Sequence, residues 1–139
     1  MGEKIEIATL NGEGRFGAYR ADPAGEPTAA VIVIQEIFGL NPGIRAKVDE
    51  WAAKGYLAVA PDLFWREAPG IELDPDNPDD RQQAFGLMGR YDMDAGMPDV
   101  EAVIRWARAE IGGGKVGLVG FCFGGRIAYL AATRAPTWT

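Results

Sequence analysis

Every position from Ala29 to Ile34 is apolar, the rhythm of a strand buried on both faces rather than one that turns a polar side to water. Upstream, Ile5 to Leu10 and Arg15 to Arg20 read as two short strands joined around Asn11-Gly12, a dipeptide that accepts the positive φ of a hairpin turn. They predict an antiparallel edge, separated from the buried strand by the polar loop Ala21 to Pro27. Downstream, Asn41-Pro42 supplies an N-cap and a first-turn proline. Ile44, Val48, Trp51 and Ala52 then recur at helical spacing until Gly55. Tyr56 to Ala60, closed by Pro61-Asp62, is the next buried strand, set parallel to the preceding one by a right-handed crossover. Glu67 to Asp80 is rich in proline, aspartate and glycine and predicts a long surface loop of the kind that walls binding sites. Helices are expected over Arg81 to Tyr91 and Met97 to Ile111, the second with Val100, Val103, Ile104, Ala107 and Ile111 on one face. Gly112-Gly113-Gly114 ends it, and a strand from Lys115 to Val119 and a helix from Gly124 to about Arg134 follow. The order predicts one α/β domain over residues 1–139, a mostly parallel sheet with helices on both faces and an antiparallel N-terminal edge.

Composition narrows the partners. The 20 acidic residues outnumber 14 basic ones, with no Lys/Arg cluster, so the surface field repels nucleic acid and anionic membrane and neither is an expected partner. The N-terminal residues Met1 to Glu6 lack an apolar targeting core, and no run of about 18 apolar residues exists to span a bilayer. The chain reads as a soluble cytoplasmic protein. A single cysteine excludes an internal disulfide and leaves a thiolate or imidazole metal site without ligands, so no metal or cofactor is expected.

That cysteine carries the chemistry. Lys115 to Gly125 is an apolar run that delivers Cys122 into the turn Gly120-Phe121-Cys122-Phe123-Gly124-Gly125 and then opens a helix. The pattern is that of a nucleophile elbow with sulfur in place of the usual serine oxygen. Glycines flank the nucleophile because side chains there would clash in a sharp strand-to-helix turn. At a helix N-terminus the dipole and free N–H groups favour a thiolate, and the N–H of Phe123 points to where an acyl oxyanion would develop. The alternative is a buried cysteine beside a close-packed glycine turn. The chain contains no histidine, so a Cys-His-Asp triad cannot form within these residues.

Four segments together resemble one family: Gln35 to Asn41, Ala60 to Leu63, Asp92 to Gly96, and Gly117 to Gly125. From about Ile5 to Arg134 the chain is similar to the N-terminal part of the dienelactone hydrolases (carboxymethylenebutenolidases), α/β-hydrolases with a cysteine nucleophile. The resemblance implies hydrolysis of an enol-lactone ester, dienelactone to maleylacetate, in chlorocatechol degradation. Carried over residue by residue, it makes Cys122 the nucleophile and the N–H groups of Ile37 and Phe123 the oxyanion hole. It makes Glu36 a buried glutamate that holds the resting thiol and takes its proton. A carboxylate directly after a buried apolar run needs a donor or an elevated pKa, unless it is an ordinary solvated strand-end residue. Arg81 resembles the family's clamp for a substrate carboxylate, suited by its planar fork, with a solvated arginine near a helix start as the alternative. Phe85, one turn later where the family can have tyrosine, and Phe38 are expected to line the pocket, with Phe64 and Trp65 as further aromatic candidates.

The resemblance also implies that the family's aspartate and histidine lie beyond Thr139, so the chain is expected to be a fold cut short after the elbow helix, with impaired activity. Ending at Ala135 to Thr139 would leave the Lys115 to Val119 strand with an unpaired edge open to self-association. Two other readings stand beside the hydrolase: a non-catalytic module or pseudoenzyme in which Arg81 grips a small carboxylate, and a cysteine-dependent amidase, since such enzymes share the Gly-x-Cys-x-Gly turn.

Overall fold

A computed structural model describes residues 2–134, so the terminal Ala135 to Thr139 segment lies outside the described residues. Five strands, β1 (Glu3–Ala8), β2 (Arg15–Ala21), β3 (Ala29–Ile34), β4 (Leu57–Pro61) and β5 (Lys115–Gly120), form one sheet in the order β1-β2-β4-β3-β5. β1 and β2 are the antiparallel hairpin expected around Gly12, whose φ is +74°. β2 joins β4 antiparallel, whereas β3 pairs in parallel with both β4 and β5.

β3 is apolar throughout because each face meets a different layer. Ala30, Ile32 and Ile34 face one core with Leu57, Val59, Val103, Ile104 and Ile127. Val31 and Val33 face a second core with Ala58, Ala60, Ile44 and Val48. Each fully buried aliphatic side chain in these layers contributes about 2 kcal/mol by removal from water. The second layer is closed by helix α1 (Pro42–Ala53), capped by Asn41 Oδ1, which accepts the Ile44 N–H at 3.1 Å. The first is closed by α3 (Met93–Glu110) and α4 (Phe123–Arg134), so helices cover both faces.

Two helices begin earlier than the pattern predicts, and each time a cap is the cause. α2 (Pro78–Arg90) starts three residues before Arg81 because the Asn77 side chain accepts the N–H groups of Asp79 and Asp80. α3 starts at Met93 rather than Met97, since Asp92 accepts from Asp94 and Ala95 and the helix runs through Pro98. Gly96, within that extra turn, leaves room for the Tyr91 phenol, which stands 2.0 Å from where a Cβ would be.

The chain after β4 is pinned by the buried Asp62 carboxylate, which accepts the N–H of Gly70 at 2.8 Å and of Phe64 at 3.2 Å. Burial outweighs these two donors and raises the Asp62 pKa above its ordinary 3.8. The folded state therefore holds this proton more tightly than the unfolded chain. Asp62 thus favours folding most below the unfolded value and loses that contribution as pH rises through the higher folded value. Urea titrations across the acid range should show wild-type stability declining relative to Asp62→Asn over that window and levelling above it. A difference that is flat with pH, or that rises, would contradict the burial argument.

Candidate active site

β5 runs directly into the turn that holds Cys122, and the glycines around it are steric requirements. A Cβ on Gly120 would stand 2.1 Å from the carbonyl oxygen of Gly124, and one on Gly124 would stand 2.4 Å from those of both Ile34 and Gln35. No side chain fits at such distances, so the elbow lies directly against the C-terminal end of β3. Cys122 adopts φ +54°, the one described non-glycine residue with positive φ, and it is exposed. L-residues take this conformation at a cost of about 1–2 kcal/mol, so the surrounding turn must enforce it. The Cys122 carbonyl accepts from Gly125 and Arg126 at 3.0 and 3.2 Å and starts α4. The Cys122 side chain is thereby held out of the core at the positive end of a helix.

Two backbone donors are free near this end of the sheet. Among the described residues, neither the Ile37 N–H, two residues beyond the Gln35 carbonyl that abuts Gly124, nor the Phe123 N–H has a protein acceptor. Phe123 itself is buried against Phe64 and Tyr91, with ring centroids 5.6 and 5.3 Å apart, which anchors the first turn of α4.

Glu36 departs from the expectation of a buried carboxylate: it is half-buried, and no donor reaches its carboxylate among the described residues. It lines an open cleft of about 580 Å³ together with Pro42, Lys47, Leu73, Pro75 and Asp80. The strand ends at Ile34, and the turn that follows lifts Glu36 out of the layer that buries Gln35. Lys47, on the cleft wall, stands 5.0 Å from the Phe121 ring centroid, so the cleft borders the elbow through the residue preceding Cys122.

The predicted binding residues are less closely gathered. Arg81 is exposed on α2, donates to the Pro75 carbonyl at 3.3 Å and has no carboxylate partner among the described residues. Its contact with Pro75 brings it to the rim of the Glu36 cleft. Phe85 is 55% exposed and walls nothing there, while Phe38 is half-buried against the core. Phe64 is core, and Trp65 stacks on Phe16 and donates to the buried Asp99, which also pairs with Arg66. A separate cavity of about 500 Å³ is lined by Trp65, Arg66 and Asp99, and of the predicted residues it includes Trp65 but not Cys122, Glu36 or Arg81. Among the described residues, no His, Cys, Asp or Glu side chains cluster as metal ligands and no helix is long and apolar enough to cross a membrane.

A parallel sheet core, helices on both faces and a strained residue in a glycine-bounded turn between strand and helix define an α/β-hydrolase fold. The model of the dienelactone hydrolase family matches residues 16–138, and the chain belongs to that family. It is 45% identical over 133 residues to a carboxymethylenebutenolidase of Pseudomonas putida, covering 95% of this chain and 56% of that protein. It is 42% identical over 136 residues to carboxymethylenebutenolidase 1 of Cupriavidus pinatubonensis, covering 97% and 58%. The crystal structure of a Klebsiella pneumoniae protein provisionally assigned as a dienelactone hydrolase superimposes with a TM-score of 0.75 at 32% identity, covering 98% of this chain and 56% of that one. The chain thus spans a little over half the length of the curated relatives it matches.

Proposed function

We propose that this chain provides the nucleophile half of an ester hydrolase of the dienelactone hydrolase type, acting on an enol-lactone or related ester that carries a carboxylate. The observation that carries the reading is Cys122, held exposed at φ +54° in the elbow. The free N–H groups of Phe123 and Ile37 support it. The Cys122 thiolate attacks the ester carbonyl carbon; a C–S bond forms and the carbonyl π pair moves onto oxygen, where the two N–H groups receive it. Collapse of that tetrahedral species breaks the C–O bond, expels the alkoxide or enolate, and leaves a thioester. In a lactone this opens the ring without releasing a fragment. Glu36 takes the thiol proton before attack. Arg81 grips the substrate carboxylate from the rim of the Glu36 cleft, with Phe38 as its apolar neighbour.

Hydrolysis of the thioester needs a base to activate water, and no histidine is present among the 139 residues. The chain by itself is therefore expected to acylate once and stall. A carboxylate-binding module is the second reading, favoured by the exposed Arg81 guanidinium, which has no carboxylate partner among the described residues. β5 has no strand on its outer side among the described residues, and self-association through that edge accompanies either reading.

Reaction with mono-p-nitrophenyl succinate decides between them. The expected result is about one equivalent of p-nitrophenolate per chain, with a succinyl adduct on the Cys122 peptide. Arg81→Ala should slow this ester about tenfold, the loss of one charge-assisted contact, and leave p-nitrophenyl butyrate unchanged. Absence of the adduct together with Arg81-dependent binding of succinate would favour the binding module. Sustained turnover by this chain would overturn the stalled-thioester account.

A further inference from the structure

We infer that Gln35 is a positioning residue for the oxyanion hole, aiming the Ile37 N–H by holding the other end of the same peptide unit; this rests on the ester-hydrolase reading above. Gln35 is fully buried at the end of β3, where the apolar run stops. A buried primary amide is costly unless both its ends are satisfied, and here both are. Its Oε1 accepts the Leu63 N–H at 2.9 Å, and its Nε2 donates to the Glu36 carbonyl at 3.1 Å. The two partners admit only this orientation of the amide, because Leu63 offers a donor and Glu36 an acceptor.

The Glu36 carbonyl and the Ile37 N–H belong to one planar unit, and no described peptide bond is cis. In a trans peptide the two groups point in opposite directions, so fixing the carbonyl on the Gln35 side fixes the N–H on the other. Without that bond the unit lies in a turn outside any strand or helix and can rotate about its flanking torsions. The far end of the tether does not move. Leu63 follows Asp62, whose carboxylate is held by Phe64 and Gly70. The Gln35 backbone carbonyl meanwhile lies against Gly124, two residues beyond Cys122. One buried side chain therefore ties the ends of β3 and β4 to the peptide expected to face the developing oxyanion.

The test separates two reactions of Cys122. Acylation by p-nitrophenyl acetate passes through an oxyanion, whereas alkylation by iodoacetamide is a displacement at saturated carbon that forms a C–S bond, releases iodide and uses no oxyanion hole. Gln35→Met, uncharged and close in shape, removes the donor to the Glu36 carbonyl and leaves that peptide free to turn away. Acylation should fall roughly 10- to 100-fold, up to the loss seen when an oxyanion donor is removed. The rate and pH profile of alkylation should remain those of the wild type. If Gln35→Met does not fold, Gln35→Leu, which also lacks the donor, carries the same expectation. Equal losses in both reactions would mean a merely structural role and overturn the proposal, as would unchanged acylation. A shifted alkylation pH profile would show action through Glu36 and the thiol instead, overturning it too. A wild-type chain that is alkylated but never acylated would overturn the hydrolase reading itself, and the role of Gln35 with it.

Discussion

Replacing Cys122 with alanine is expected to reduce acylation by activated esters to the background of the free reagent, the largest functional effect of any single change in this chain. The side chain at this position is the chain's one thiol, and a methyl group cannot form the thioester. Glycine at the same position should be equally inactive and yet more stable. A residue at φ +54° carries about 1–2 kcal/mol of backbone strain that glycine does not. Glycine's greater freedom in the unfolded chain returns about half of that, leaving a net gain of about 0.5–1 kcal/mol. For a domain of this size that corresponds to a rise of about 2–3 °C in Tm. Thermal melts of the wild type, Cys122→Ala and Cys122→Gly test this directly: alanine should melt close to the wild type, and glycine above both. A glycine variant that melts lower would show that the elbow does not store strain at Cys122.

The largest effect on folding is expected from Gly124→Ala. Its methyl would stand 2.4 Å from two main-chain carbonyl oxygens at the end of β3, and backbone cannot swing aside as a long side chain can. Relief requires α4 to move off the sheet, opening the layer in which Ile127 and Ala131 are fully buried. Overpacking of this kind costs about 3 kcal/mol or more, a large fraction of the stability of a small domain. Acylation should fail even in molecules that remain folded, because the shift carries Cys122 away from Ile37. The neighbouring Gly125→Ala is the control: its methyl meets nothing nearer than 3.4 Å, an ordinary contact, and should be tolerated. Urea unfolding of the two variants should therefore differ by several kcal/mol. Similar midpoints would mean that the elbow is not packed as described.

Much of the architecture was legible because local pattern and tertiary environment agree. A run such as Ala29 to Ile34 has no polar side to offer water and must be sandwiched, which is why its parallel pairing with β4 could be anticipated. Asn41-Pro42 and Gly55 marked the limits of α1 because caps act within one turn. The early starts of α2 and α3 were missed because Asn77 lies in the stretch that reads as loop and Asp92 in the gap between the two expected helices. The elbow was also legible: the glycines on either side of Cys122 are demanded by contacts within a few residues and against one strand end.

The gathering of the site was less so. Glu36 was expected buried and is half-exposed in a cleft, because what covers a strand-end residue depends on the path of the turn after it and of the distant loop around Leu73 and Pro75. Lys47 gave no signal, being one charged position on a helix until packing set it over Phe121. Gln35 gave a faint one, a single uncharged polar residue ending an apolar run. Its bonds to Leu63 and Glu36 join points that only the pairing of β3 with β4 brings together.

By itself, then, the sequence determined the elements, the α/β class and the cysteine at a glycine-bounded turn, all of which rest on contacts within a few residues or on which faces must leave water. Only the tertiary structure decided which peptide N–H groups are left free, which side chain aims them and which carboxylate faces a cleft. Those are properties of strand ends brought together from separate parts of the chain, and their physical cause is the packing of whole layers rather than any local preference.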